Sequence, residues 1–241
     1  VLQGAAIGGE VPGAWVFVAE HVPQRHVGFA CGTLTAGLTG GILLGSLVAG
    51  AVNRAYAPAE LLAEGWRVPF ILGGVFGLVS VWLRQYLHET PVFREMQARQ
   101  QLADELPLKT VVRAHRPAVV LTMLMTWLLS AAVVVMILMT PTLVQKLFAI
   151  PAATALQANS IATLFLSAGC IVFGALSDRC GAGRVLMTGC IALGATSWLF
   201  YQQMGVAPER IYALYALCGF FVGVIGVIPG TAVQAFPPAV R

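Results

Sequence analysis

The sequence predicts an all-α membrane protein, and three observations predict it. Of the 241 residues, 58% are hydrophobic and only 10% are charged. The mean hydropathy is +0.82. Long apolar runs recur along the chain with short polar stretches between them. Soluble domains carry about 25% charged residues, and so few charges cannot cover a water-facing shell.

The remaining composition narrows the class. Fourteen Lys and Arg against ten Asp and Glu leave a net charge of +4. That surplus is too small to point to nucleic acid, and it suits basic loops at a cytoplasmic surface. Cys31, Cys170, Cys180, Cys190 and Cys218 form no CxxC pair and fall mostly in apolar runs. They predict neither a disulfide framework nor a metal site, and no cofactor is expected. The chain opens on Val1, already inside an apolar segment and without a charged leader, so it reads as a piece of a longer polypeptide.

About 20 apolar residues at 1.5 Å each are needed to cross roughly 30 Å of hydrocarbon. Seven stretches qualify, at about 1–20, 28–52, 68–88, 117–140, 157–176, 185–203 and 211–232. Irregular backbone is not tolerated against lipid, so each is predicted as a helix. The first holds Gln3, Glu10 and Trp15 in "LQGAAIGGEVPGAW". The second carries a ladder of Gly37, Gly41 and Gly45, and the seventh carries Gly219/Gly223 and Gly226/Gly230. Small residues four apart let helices approach closely, which predicts packing within one molecule and a monomer when intact. The fourth stretch has no glycine from Pro117 to Thr140 and is expected to pack loosely or face lipid.

Orientation follows from the basic residues. Arg25, Arg84, Arg94, Arg99, Lys109, Arg113, Arg116, Arg179, Arg184 and Arg241 fall at one set of ends, against Arg54, Arg67, Lys146 and Arg210 at the other. The first set is predicted to be cytoplasmic, so the chain starts outside and ends inside. The longest hydrophilic stretch, Glu89 to His115, carries balanced charge and an i,i+4 pair, Glu95 and Arg99. It divides the chain into 1–88 with three spans, a cytoplasmic loop at 89–116, and 117–241 with four.

The first and seventh spans share a pattern. "GEVPGAWV" (Gly9 to Val16) and "GVIPGTAV" (Gly226 to Val233) both fit G-x-[VI]-P-G-x-x-V. The match predicts two bundles related by a parallel repeat of six spans, an arrangement typical of secondary transporters. Glu10 in the first copy is replaced by Val227 in the second, so the acid is not needed to bend the helix.

At four places the residues resemble the major facilitator superfamily. "GALSDRCGAGR" (Gly174 to Arg184) is similar to its G-x-L-[SA]-D-R-x-G-R-[KR] loop, "VAEHVPQRHVGF" to the boundary after its fourth helix, "LHETPVF" to the run after its sixth, and "FPPAVR" to the boundary after its tenth. "LQGAAIGGE" together with "ETPVF" most resembles the metabolite:proton symporter branch. The resemblance implies a partial major-facilitator fold, helices four to ten of twelve, in the bacterial cytoplasmic membrane. The loop motif departs from the family in reading Ala182-Gly183 where two basic residues are usual, which leaves Arg184. The arginine that usually precedes "LQG" would lie before Val1.

A carboxylate inside a span faces a cavity or a partner. Glu10 therefore reads either as a proton-coupling or solute-binding group, with Gln3 on the same helical face, or as a structural acid tied to a basic or hydroxyl neighbour. Asp178 sits unfavourably at a helix C-terminus. It is expected to meet the N-terminus of the second span, near His26 and Val27, as the family's loops clasp the opposite half. Arg25, Asp178, Arg179, Gly181 and Arg184 are the expected gating set. Trp15, Thr33, Trp127, Asn159, Tyr212 and Tyr215 offer hydrogen bonds or flat faces to a solute.

The leading expectation is proton-coupled transport of a small polar metabolite, an organic acid or zwitterion, by alternating access. A seven-helix receptor or sensor is the alternative from another class, along with a partial transporter that does not transport. A retinal protein needs a lysine within a span, whereas Lys109 and Lys146 lie in a loop and at a helix edge. A membrane enzyme lacks support, since there is no HExxH and all four histidines lie at span ends or in loops.

Overall fold

The computed structural model describes residues 2–86, Thr90, Glu95, Ala98 and 108–237, with the side chains of residues 2–8, Asn53, Pro58 and 108–110 outside that description. All long elements among the described residues are helices. α1 is Leu2–His21, with Pro12 inside it. Pro23 and a 3-10 turn at Gln24–His26 then lead into α2, Val27–Ala55. A π-helical turn at Leu61–Gly65 precedes α3, Arg67–Arg84. α4, Arg116–Val133, starts with Pro117 in its first turn, where the missing N–H costs nothing. It runs through a π-helical turn at Val134–Met139 into α5, Thr140–Phe148. Ala149 ends α5 in the left-handed region at φ 53°, and Pro151 opens α6, Ala152–Cys180. α7 is Ala182–Met204. α8, Ile211–Val222, passes through a 3-10 turn at Gly223–Gly226 into α9, Val227–Gln234.

Among the described residues, six segments are long and apolar enough to cross a membrane: Gln24–Val52, Leu61–Arg84, Arg116–Phe148, Ala152–Cys180, Ala182–Met204 and Pro208–Gln234. The sequence predicts seven spans. The one outside this set is α1, which is helical over all 20 residues but whose Gln3, Glu10 and Glu20 dilute its apolar content. The Glu95–Arg99 pair in the hydrophilic stretch falls outside the described residues.

α6 is the centre of the bundle. Ala155, Ala158, Ala162, Leu166 and Cys170 on its inner face are all fully buried. It packs along α2 on one side and α8 on the other. The α2–α6 seam joins the two segments that the hydrophilic stretch divides. A Cβ on Gly174 would lie 2.5 Å from the Gly28 carbonyl oxygen and 3.1 Å from the Gly32 Cα, so only glycine permits this approach. Further along, the Thr39 and Ser167 hydroxyls meet at 2.7 Å and those of Ser46 and Ser160 at 3.3 Å. The expected ladder is displaced from this seam. Gly37, Gly41 and Gly45 have nothing within 4 Å of a Cβ position, because the close approach occurs at Gly28 and Gly32, where α6 offers a matching glycine. In the seventh predicted span the expected close packing is found: Gly223 rests on the Gly169 backbone and Gly226 on that of Cys170. α4 has no buried residue, but the rest of the same predicted span buries Met136, Ile137 and Thr140, so the loose packing expected from its lack of glycine is found in its first part alone.

Candidate functional site

Two features lie where the halves meet: a cavity and a polar clasp. The cavity has a volume of about 280 Å³ and lies between α1, α4 and α9. Pro12, Trp15 and Val16 form one wall, and Pro229, Ala232 and Val233 form the facing one. These are the same three positions of the repeated eight-residue pattern, so each copy contributes the same helical face. Thr122, Thr126 and Leu129 of α4 close the third side, and Phe236, whose ring lies 6.5 Å from that of His115, stands at one end.

The cavity is apolar apart from a few groups, and one of them is unsatisfied. Trp15 Nε1 is buried with no hydrogen-bond partner. Leaving a buried donor unmade costs about 1–3 kcal/mol; the nitrogen has no exposed surface, so it is the indole ring that lines the cavity. The Thr122 hydroxyl donates to the Ala118 carbonyl at 2.8 Å and keeps its lone pairs for a visitor. Sequence reasoning missed Thr122 and Thr126. Their i,i+4 spacing with Leu129 three residues further marks one helix face, and that was the available signal.

The other expected solute contacts are elsewhere. Trp127, next to Thr126, points off the cavity and is 73% exposed, because one residue turns a helix by roughly 100°. Thr33 donates to the Phe29 carbonyl at 2.8 Å and lines a separate apolar cleft with Val18, Val22 and Leu34. Tyr212 donates to Gln157 Oε1 at 3.2 Å, beside an open cleft that includes Arg54 at the far end of the bundle. Asn159 and Tyr215 are buried and bonded to each other at 2.6 Å. The Gln3 side chain lies outside the described residues.

Glu10 faces away from the cavity. It lies roughly 160° around α1 from Pro12 and 140° from Trp15 at 3.6 residues per turn. Its carboxylate pairs with the guanidinium of Arg84 at the end of α3, and each side chain is 57% exposed. Glu10 therefore has a basic neighbour, and it is Arg84. A second bond joins the same parts of the chain, where the Thr90 hydroxyl donates to Glu20 Oε2 at 2.7 Å.

The clasp joins the start of α2 to the end of α6. Asp178 accepts the Gly28 N–H at 2.7 Å on one oxygen and the Phe29 N–H at 2.8 Å on the other. Its charge thus sits on orphan amides at the positive end of the α2 dipole, the placement that helix-end electrostatics predicts. Gly28 makes room for it, since a Cβ there would lie 2.7 Å from Asp178 Oδ1. Gly181, at φ 89°, turns the chain from α6 into α7, and a side chain there would be strained. α9 reaches the same place. Asp178, Gly181, Gln24, Gly28, Thr231 and Gln234 surround a polar cleft of about 210 Å³. Arg25, Arg179 and Arg184 are exposed around this end. Among the described residues no group of His, Cys, Asp and Glu is arranged to hold a metal ion.

Comparison with known proteins gives consistent matches. The model of the Major Facilitator Superfamily matches residues 1–241. A putative proline/betaine transporter of Staphylococcus aureus (strain COL) is 25% identical over 243 residues, covering 100% of this chain and 52% of the relative. The glycine betaine/proline/ectoine/pipecolic acid transporter OusA of Dickeya dadantii (strain 3937) is 39% identical over 107 residues, 44% of this chain and 21% of its own length. The proline/betaine transporter of Escherichia coli (strain K12) is 36% identical over 102 residues, 42% of this chain and 20% of that one. The chain spans about half the length of the relatives that it matches from end to end. No solved structure gives a significant match.

Proposed function

The chain belongs to the major facilitator superfamily, and on that premise we propose that it forms the middle of a proton-coupled secondary transporter. Its solute is a small zwitterion bearing a carboxylate and an ammonium group, as are the proline and betaine for which its relatives are named. It works by alternating access in the cytoplasmic membrane of a bacterium. Residues 1–88 and 117–241 belong to its two bundles, joined by a cytoplasmic loop at 89–116.

The observation that carries this reading is the indole of Trp15, which lines a cavity walled by both copies of the repeat and whose buried N–H has no hydrogen-bond partner. A substituted ammonium has few or no hydrogens to donate and favours an aromatic face, worth up to about 2 kcal/mol when desolvated. A carboxylate needs a donor, and Trp15 Nε1 becomes one once the ring turns its edge to the cavity. A single indole thus serves both ends of a betaine, with the Thr122 and Thr126 hydroxyls alongside.

Glu10 and Arg84 supply the coupling. Protonation of Glu10 removes one charge of the pair and frees Arg84, tying the proton to the fit between α1 and α3. Asp178 supplies the cytoplasmic gate. Opening that side pulls the α2 amides off its carboxylate, and closing restores them. Lipid, protons and the solute are the partners, and the intact protein acts as a monomer.

The test is uptake by the intact protein reconstituted in vesicles. Labelled glycine betaine, proline, a dicarboxylate and a tricarboxylate are each offered with and without an inward proton gradient. Betaine or proline accumulation that collapses with the gradient is expected. Accumulation of the dicarboxylate alone, or uptake indifferent to the gradient, would overturn the solute class or the coupling respectively.

A further inference from the structure

Asn159 and Tyr215, expected at the solute, instead brace the π-helical turn at Val134–Met139. The Tyr215 hydroxyl lies 2.6 Å from the Met136 carbonyl oxygen and 2.6 Å from the Asn159 side-chain amide. A phenol has one hydrogen. Given to Met136, it leaves Asn159 to donate an amide N–H to the phenol oxygen, the other choice of an amide orientation that is assigned and not seen. The Thr140 hydroxyl donates to the Val135 carbonyl at 2.9 Å and lies 2.9 Å from the Tyr201 hydroxyl. Ser197 Oγ stands 3.7 Å from Met136 Sδ. Groups from α6, α7 and α8 therefore converge on one turn, and Thr140, Met136, Ile137 and Tyr215 are all buried.

A π turn holds one residue more than regular helix and leaves carbonyls poorly matched to the backbone ladder. Here the Met136 carbonyl accepts from Tyr215, and the Val135 carbonyl accepts the Thr140 hydroxyl in addition to the Thr140 N–H; the side chains can let go without breaking that ladder. If the turn relaxed to regular helix, everything beyond it would rotate by about 100° and shift by about 1.5 Å against α4. The turn begins five residues beyond Leu129, on the helix that lines the Trp15 cavity. We propose that the Val134–Met139 turn is a two-state joint between α4 and α5, and that Tyr215 is the positioning residue that latches it in the π form. The link to transport rests on the function proposed above; the joint itself does not.

The test compares Tyr215→Phe and Thr140→Val with the wild type in the intact protein. Tyr215→Phe keeps the ring that packs 5.1 Å from Phe200 and removes only the hydroxyl. Hydrogen exchange over 134–148 should quicken at least tenfold in each variant, with α6 and the rest of α8 unchanged. In vesicles the turnover should change several-fold, and the half-saturating betaine concentration should stay within twofold. Unchanged exchange in both variants, or faster exchange spread evenly through α6 and α8, would overturn the latch. A raised half-saturating concentration with unchanged exchange would make Tyr215 a solute contact and overturn it too. Locally faster exchange in the variants, together with a wild type that takes up no solute, would uphold the joint and count against the proposed transport instead.

Discussion

Gly9–Val16 in α1 and Gly226–Val233 in α9 are two uses of one pattern. Both put a proline and a valine on the cavity, with Pro12 and Val16 facing Pro229 and Val233. The copies differ where chemistry is possible. Trp15 matches Ala232 and Glu10 matches Val227, and their surroundings differ accordingly. Val227 is 1% exposed and packs with Phe173, Val185 and Val224, whereas Glu10 meets Arg84 on a face that α9 buries. The comparison teaches that the shared residues build the wall. The unshared ones decide which polar groups each segment carries, Trp15 and Glu10 in the first and Thr231 in the second.

Carrying the acid across to the second copy should have the largest effect. Val227→Glu buries a carboxylate with no cation beside it, which costs several kcal/mol, and should lower the unfolding midpoint in detergent sharply or prevent insertion. A stable, wild-type-like Val227→Glu protein would break the distinction. Carrying the indole across comes next. Ala232→Trp places a second large ring in a cavity of about 280 Å³, and uptake should fall to background while the thermal midpoint stays close to wild type.

Removing the acid from the first copy is narrower. Glu10→Gln should abolish proton-driven accumulation while leaving measurable solute exchange in preloaded vesicles. Full accumulation would reduce Glu10 to a structural partner of Arg84. The smallest effect is expected at the clasp. Asp178→Asn loses the charge on the α2 amides, an interaction of about 0.3–1 kcal/mol when exposed and up to about 2 when partly buried. It should shift the balance toward the cytoplasm-open form a few-fold to about thirtyfold, read as faster labelling of a probe at Gln24→Cys.

How much of this was legible in the sequence depended on whether a residue's role is set locally. Helices could be read from apolar run length, and the Asp178 contact from the mismatch between a carboxylate and a helix C-terminus. The repeat picked out the two segments that wall the cavity, but not that a cavity lies between them. Side-chain direction was not legible. Glu10 and Trp15 are five residues apart on one helix and face different neighbours, and only the position of α3 shows that Arg84 waits for the acid. Tyr215 and Asn159 looked available because they are polar and within spans. The π turn that occupies them has no sequence signature, since its extra residue is accommodated by groups from three other helices. The glycine ladder misled for a related reason: Gly37, Gly41 and Gly45 have the spacing, but the partner glycine, Gly174, lies opposite Gly28 and Gly32.

The central claim is that a zwitterion sits against Trp15 between the two copies of the repeat, and equilibrium binding of labelled glycine betaine to a Trp15 series tests it most directly. Trp15→Phe keeps an aromatic face and loses the N–H, so its dissociation constant should rise a few-fold. Trp15→Ala makes the first copy resemble the second, and its constant should rise at least tenfold, about 1.4 kcal/mol. Two variants that bind betaine as the wild type does would contradict the account.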